Sequence, residues 1–141
     1  MAKEMEDYLE FKFDSQVLLD NGDMLKNVGF SDCPVGWSRL VRQLFEDIRE
    51  TCKKNNSPLP KVLQAKSKFG GLQFYVEFDP IFQTSKAGIE IERLIDKATK
   101  KSLSICEITG DHGTLHSKNG WLATLCEAKA KELGYTKIKS N

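Results

Sequence analysis

The residue types that could carry chemistry concentrate between positions 103 and 130. Cys106 and Cys126 flank His112 and His116 in this segment. Thiolate and imidazole groups are the ligands of structural zinc, so these four residues are candidates for a Cys-His-His-Cys site. Spacing is weak evidence for such a site, because the sequence around His112 is also typical of a plain turn.

The same segment supplies the parts of a cysteine nucleophile site. Such a site needs a thiol, a histidine base in contact with it, and a third group such as Asp111 that orients the base. The sequence contains these residue types but no pattern that places them in contact. Cys126 also falls on the predicted apolar face of a helix, and buried structural cysteines are inert. We therefore predict no enzyme activity, no catalytic residue and no cofactor.

Length and composition predict one globular domain over residues 1–141. Hydrophobic residues make up 40% and charged residues 29% of the chain, a balance that argues against a disordered protein. No apolar run reaches the roughly 18 residues that span a bilayer, and the acidic N-terminus lacks the features of a signal peptide. We therefore predict a cytoplasmic protein whose four cysteines are free thiols.

Periodic apolar residues predict three helices, over about 37–54, 85–102 and 121–133. Trp37 and Trp121 each follow a glycine at the start of a predicted helix. Both are expected in the core, because large aromatic side chains dominate protein cores.

One antiparallel hairpin over about 61–78 completes the predicted fold. Its second strand alternates apolar and polar residues, and Gly70 and Gly71 supply the positive φ that a tight reversal needs. Tyr135 to Ile138 are expected to form a short terminal strand or a loose tail. Three helices packed on a small antiparallel sheet place the chain in the α+β class.

Charge is unevenly distributed, although the chain as a whole carries only +1. Residues 1–32 hold eight acidic and three basic residues, a net charge of −5, which leaves +6 on the rest of the chain. Such a separation guides a charged partner to one side of a protein. The acidic side chains predicted to bind a partner are Glu4, Glu6, Asp7, Glu10, Asp14, Asp20 and Asp23.

Several short strings resemble a family of small, largely uncharacterised bacterial and phage proteins. The family pattern begins with a Gly-Trp helix, as in Gly36-Trp37, and continues with a Lys-Phe-Gly-Gly-Leu-x-Phe-Tyr-Val hairpin, which stands here at 68–76. A Cys-x-x-Cys-Gly knuckle then pairs with a Gly-Trp-x-x-Thr-Leu-Cys-x-x-His helix. The resemblance covers about residues 29–130 and implies a treble-clef-like knuckle and helix over 103–133.

This chain departs from the family pattern at two of the four ligand positions. Cys106 and Cys126 stand at the first and third, but Thr109 and Lys129 replace the second cysteine and the histidine. A hydroxyl is a poor zinc ligand, and a protonated amine repels the metal. We therefore predict a knuckle without metal, in which Cys106 still faces the last helix. Lys129 is expected to reach the surface or an acceptor such as Glu107.

Small size, the lack of a credible active site and the uneven charge favour a non-catalytic protein-binding module. We predict an immunity-like or phage-encoded inhibitor that neutralises a protein partner, such as a toxin, by occluding its positive groove. The alternative is a treble-clef-type nucleic-acid-binding protein, in which Phe74, Tyr75 and Phe78 would stack bases beside lysines. Phe74 and Phe78 share their strand face with apolar residues, which favours a core position instead. Nucleic-acid and membrane partners are therefore not expected.

Overall fold

The computed structural model describes residues 15–25 and 33–138, and it contains helices and two small antiparallel sheets. One sheet pairs β1 with β2, and the other has the strand order β4-β3-β5. This combination confirms the α+β class. In chain order the elements are α1 (Ser15–Asp20), α2 (Ser38–Lys54), β1 (Lys61–Lys68), β2 (Gly71–Glu77), α3 (Lys86–Ser102), β3 (Thr114–Lys118), β4 (Trp121–Leu125), α4 (Glu127–Leu133) and β5 (Thr136–Lys137), with single 3-10 turns at Val35–Trp37 and Pro80–Phe82.

The main core lies between α2, α3 and the β1–β2 sheet. The apolar stripe of α2 is buried, and the Phe45 ring meets the Phe74 ring edge-on at 5.6 Å between centroids. Ile91 and Ile95 of α3 complete this layer. The two predicted helices over 37–54 and 85–102 and the predicted hairpin over 61–78 are confirmed, because each has one continuous apolar face to bury.

The predicted third helix over 121–133 is wrong in its first half. Trp121–Leu125 is a strand that pairs antiparallel with Thr114–Lys118, and the helix begins only at Glu127. Asn119 and Gly120 have φ angles of 52° and 85°, which are the positive values of a two-residue hairpin turn that Asn-Gly favours. A short apolar run fits a strand or a helix equally well, so the turn chemistry decides between them.

The two tryptophans differ as a result of this change. Trp37 is fully buried, as expected, whereas Trp121 at the start of β4 is 74% exposed, which contradicts its expected core position. A second, smaller cluster packs around β4 and α4 and consists of Cys106, Leu125 and Ala130.

The end of the described chain forms the short strand β5, which pairs antiparallel with β3. Of the two alternatives left open for residues 135–138, a short terminal strand or a loose tail, the structure has the strand. Among the residues that the structure describes, none of the helices is long and apolar enough to cross a bilayer.

Candidate functional site

The C-terminal part has the element order of a treble clef, which is a turn, a hairpin and a helix. The turn spans residues 106–110, here called the knuckle, and the Gly110 N–H closes it by donating to the Cys106 carbonyl at 3.0 Å. The β3–β4 hairpin follows, and Cys126 is the N-cap residue of α4. The Glu107 N–H donates to the Thr124 carbonyl at 2.9 Å, which holds the knuckle beside β4.

The four positions at which the sequence resemblance implies zinc ligands lie close together. The Thr109 N–H donates to the Cys106 Sγ at 3.5 Å, and the Thr109 hydroxyl donates to the Cys126 Sγ at 3.9 Å. Lys129, in the first turn of α4, interacts electrostatically with both sulfur atoms. Cys106 therefore faces the start of α4, as predicted.

Lys129 reaches an acceptor at the surface, but that acceptor is Glu132. The Lys129 Nζ lies 3.0 Å from the Glu132 Oε2, and the lysine side chain is 26% exposed. The hydrogen bond with Glu132 and the charge of that carboxylate raise the pKa of Lys129, and a thiolate at Cys126 or Cys106 adds to the effect. Glu107, the acceptor named from the sequence, instead accepts a hydrogen bond from the Thr124 N–H at 2.7 Å.

Burial and hydrogen bonding act in opposite directions on the ionisable groups of the knuckle. Burial of Cys106 disfavours its thiolate, but hydrogen bonds from Thr109 and from the N–H groups of Ile108 and Cys126 outweigh this effect and lower the pKa of the thiol. Burial is the larger effect at Glu107, and it raises the pKa of that carboxyl. The knuckle therefore favours a negative charge on Cys106 and disfavours one on Glu107.

The donor set of the knuckle does not fit zinc. Two thiols, a hydroxyl and an ammonium stand where zinc needs four thiolate or imidazole ligands. Within residues 15–25 and 33–138, no group of three or more His, Cys, Asp or Glu side chains is placed to hold a metal ion. The alternative set of Cys106, His112, His116 and Cys126 is thus not assembled. His116 is buried, and its Nδ1 donates to the Thr114 carbonyl at 2.7 Å.

The histidines and one of the two cysteines do share a cavity of about 320 Å³. His112, His116, Cys126 and Glu127 are among its lining residues. In the part of the chain that the structure describes, neither histidine is hydrogen-bonded to a cysteine. The cavity therefore collects a thiol and two imidazoles without the contact between nucleophile and base that thiol catalysis needs.

Replacing both non-ligand residues should create a zinc site. We expect the Thr109→Cys/Lys129→His double variant to bind one zinc ion per chain, because both positions already lie beside the Cys106 and Cys126 sulfurs. Elemental analysis of the dialysed protein measures the zinc, and the visible spectrum of the Co²⁺ form reports tetrahedral thiolate coordination. Each single variant, with three ligands, is the control and should bind zinc far more weakly. A folded double variant that retains no zinc would contradict this placement.

The knuckle and the neighbouring strand β4 are docked on two glycine turns far away in the sequence, a feature that was not predicted from the sequence. The Gly36 N–H donates to the Glu107 carbonyl at 2.8 Å, and the Trp37 Nε1 donates to the Ile105 carbonyl at 2.9 Å. On the other side, the buried Thr124 hydroxyl donates to the Gly70 carbonyl at 2.6 Å. The Gly-Trp, Gly-Gly and Thr-Leu-Cys strings of the family pattern thus meet at one junction. Their joint presence in that pattern was the only signal of this contact.

The β1–β2 turn presents an exposed aromatic side chain in a strained backbone conformation. Phe69 and Gly70 have φ angles of 55° and 82°, nearly those of Asn119 and Gly120 in the other hairpin. Asn-Gly suits such a turn, whereas a bulky residue with positive φ is a rare outlier. Phe69 is nevertheless 72% exposed, and the Lys68 ammonium lies 5.7 Å from the centre of its ring.

Other apolar side chains surround this turn. The Leu115 side chain lies directly against Gly70, and the Leu103 side chain lies against Gly71. Ile138 pairs with Leu115 across the β3–β5 ladder, and Leu103 and Ile138 are exposed. The four residues Phe69, Leu103, Leu115 and Ile138 are called the turn surface below.

Of the seven acidic residues predicted to bind a partner, the structure describes Asp20 and Asp23. Asp20 is exposed and accepts a hydrogen bond from the Gln16 amide at 2.7 Å. Asp23 forms a bidentate pair with Arg49, at 2.7 and 2.9 Å, and this pair lowers the pKa of the carboxyl. Asp23 therefore anchors residues 15–25 to α2. The others, Glu4, Glu6, Asp7, Glu10 and Asp14, lie outside the described residues.

Comparison with known proteins finds no matching family model, no matching curated protein and no matching solved structure. The chain's own surface is therefore the basis for its proposed function.

Proposed function

We propose that this protein is a non-catalytic protein-binding module that holds its partner through the turn surface. The observation that carries the proposal is Phe69, a large aromatic residue that is both strained and exposed. Exposed aromatic anchors surrounded by smaller apolar groups are typical of the centres of protein interfaces.

The backbone strain at Phe69 supports a role for this residue in binding a partner and not in stabilising the fold. A non-glycine residue in the left-handed region costs about 1 kcal/mol, and Asn tolerates this region best. The ring of Phe69 buries little surface in return, since its partner within the chain is the flexible Lys68. Folding alone therefore gives no reason for phenylalanine at a position where Asn119 serves the second hairpin.

For the class of partner, we propose a toxin-type protein that the chain neutralises by occlusion, as an immunity-like or phage-encoded inhibitor does. The charge separation supports this choice, because residues 1–32 carry −5 and suit a positive groove. The acidic segment would attract the partner and raise the association rate. The apolar anchor would hold the bound partner and lengthen its residence time.

The Phe69→Asn variant tests the proposed surface. We expect it to fold with a stability equal to that of the wild type or up to about 1 kcal/mol higher, because the strain at this turn is relieved. We also expect it to lose the partner. Tagged wild-type and variant chains expressed in the native host, followed by quantitative mass spectrometry, measure this loss, and thermal unfolding measures the stability.

Trp121→Ala is the matched control, because Trp121 is as exposed as Phe69 but lies in the other hairpin. It should recover the same partner as the wild type. Equal recovery of every bound protein by the wild type and by Phe69→Asn would sink the proposal. Once the partner is purified, calorimetric titration of both variants gives the affinities directly.

Nucleic-acid binding is the second candidate, and the pairing of exposed aromatics with lysines favours it. Lys68 lies over Phe69, and Lys118, whose ladder partner is the exposed Trp121, places its ammonium over the Tyr135 ring. Base stacking beside cations is the usual way of holding single strands. Phe74, in contrast, is buried, as expected. Fluorescence anisotropy with labelled single-stranded DNA and RNA decides the matter, since tight binding that weakens steeply with salt would replace the protein-binding proposal.

A further inference from the structure

Cys106 in the knuckle and Cys126 at the start of α4 have different surroundings, although Thr109 contacts both of them. Cys106 is fully buried, and its sulfur accepts the Thr109 N–H at 3.5 Å. Cys126 is only half-buried, its sulfur receives the Thr109 hydroxyl at 3.9 Å, and it lines the 320 Å³ cavity. A small oxidant therefore has access to Cys126, while Cys106 lies behind it as a protected second thiol.

The electrostatics of the cluster suit thiol oxidation. Hydrogen bonds to the Cys106 sulfur from Thr109 and from N–H groups lower the pKa of that thiol and so favour its thiolate, which is the reactive form. The Lys129 ammonium lies near both sulfurs. The other two cysteines lie buried in the main core. Burial raises the pKa of both of them, for Cys33 to about 12, so these two thiols are unreactive by comparison.

We propose that Cys106 and Cys126 form a reversible disulfide when the protein meets a peroxide. This bond would tie the knuckle to the start of α4, the connection that zinc makes in the family that the chain resembles. The inference is independent of the protein-binding proposal, because it needs only the two thiols and an oxidant.

The chemistry balances with hydrogen peroxide as the oxidant. The Cys126 thiolate attacks one peroxide oxygen, the O–O bond breaks, and a sulfenic acid and hydroxide form. The Cys106 thiolate then attacks the Cys126 sulfur, the S–S bond forms and the S–O bond breaks. The two hydroxides take up the two protons that the thiols released on forming thiolates, so that two thiols and one peroxide give one disulfide and two waters. A dithiol reverses the bond by exchange, which makes it transient in a reducing compartment.

Peptide mapping of the folded full-length chain tests this inference. Trypsin cuts after Lys101, Lys118 and Lys129, so Cys106 falls in peptide 102–118 and Cys126 in peptide 119–129. After treatment with a few equivalents of hydrogen peroxide and alkylation of the remaining thiols, we expect these two peptides linked, with the loss of two hydrogen atoms. Dithiothreitol should separate them again. Thiol titration of the unfolded product should fall from four groups to two.

Two variants complete the test. Cys52→Ala removes a core thiol and should leave the linked peptides unchanged, whereas Cys126→Ser, at a half-buried position that tolerates serine, should abolish them. Circular dichroism establishes that each variant is folded. Oxidation of Cys126 to sulfinic acid without a link, a link that appears only after unfolding, or a different pair of linked cysteines would each overturn the inference.

Discussion

Replacing Trp37 by alanine should lower the free energy of unfolding by about 4 kcal/mol, which is the range for large aromatic side chains removed from a core. Trp37 is fully buried, and its Nε1 donates to the Ile105 carbonyl at 2.9 Å. The side chain therefore both fills the main core and holds the chain segment that leads into the knuckle. Urea denaturation followed by circular dichroism measures the loss.

Trp121→Ala is the control for this prediction, because both tryptophans follow a glycine in the sequence. Because Trp121 is 74% exposed, its replacement by alanine should lower the free energy of unfolding by no more than about 0.5 kcal/mol. Trp37→Phe keeps most of the apolar volume but leaves the Ile105 carbonyl without its donor, so an intermediate loss of about 1–3 kcal/mol is expected. Similar losses at the two tryptophan positions would contradict the placement of Trp37 as the link between core and knuckle.

The helices α2 and α3 and the β1–β2 hairpin could be predicted because each has one long apolar face, whereas the short helix α1 was not predicted. The stripe of α2 from Val41 to Cys52 covers three turns, and the alternation from Leu72 to Val76 has a single interpretation as a strand. An apolar pattern of this length fits either the helical period of 3.6 residues or the strand period of two, but not both. Local sequence and tertiary packing agree in these elements, which is the condition under which prediction succeeds.

The two Gly-Trp pairs show why the C-terminal third of the fold could not be predicted. Gly36 precedes the buried Trp37 and touches the knuckle backbone, whereas Gly120 completes a hairpin turn with nothing near it and precedes the exposed Trp121. The same Gly-Trp dipeptide therefore precedes a buried tryptophan in one place and an exposed one in the other. Only Asn119, the preferred partner of Gly120 in such a turn, distinguishes the second pair in the sequence.

The sequence predicted that the two thiols of the candidate site lie close together. It did not predict the contacts that hold the knuckle in place. The neighbourhood of Cys106, Thr109 and Cys126 follows from their correspondence with ligand positions in the family pattern, and the structure places them together. The knuckle docks on Gly36 through backbone groups and a missing Cβ, and the Thr124 hydroxyl of β4 donates to the Gly70 carbonyl. Contacts of this kind leave no hydrophobic period in the sequence, so pattern reasoning does not detect them.

Gly36→Ala should destabilise the protein by about 3 kcal/mol, at the upper end of the cost of overpacking. A Cβ at this position would lie 2.1 Å from the Cys106 carbonyl oxygen and 2.6 Å from the Glu107 carbonyl carbon and oxygen. Backbone atoms cannot rotate away as a side chain does, so the knuckle must move. Such a movement breaks the hydrogen bond from the Gly36 N–H to the Glu107 carbonyl. Chemical denaturation measures the cost.

Gly22→Ala is the matched control, since the nearest atom to its Cβ is 3.8 Å away, an ordinary contact distance. Its free energy of unfolding should stay within about 0.5 kcal/mol of the wild type. Hydrogen exchange then separates two ways in which Gly36→Ala can act. Undocking of the knuckle alone should accelerate exchange of the Glu107 amide, which donates to Thr124, while the amides of β2 stay protected. Unchanged protection at Glu107 together with a loss below about 1 kcal/mol would mean that the knuckle does not rest on Gly36.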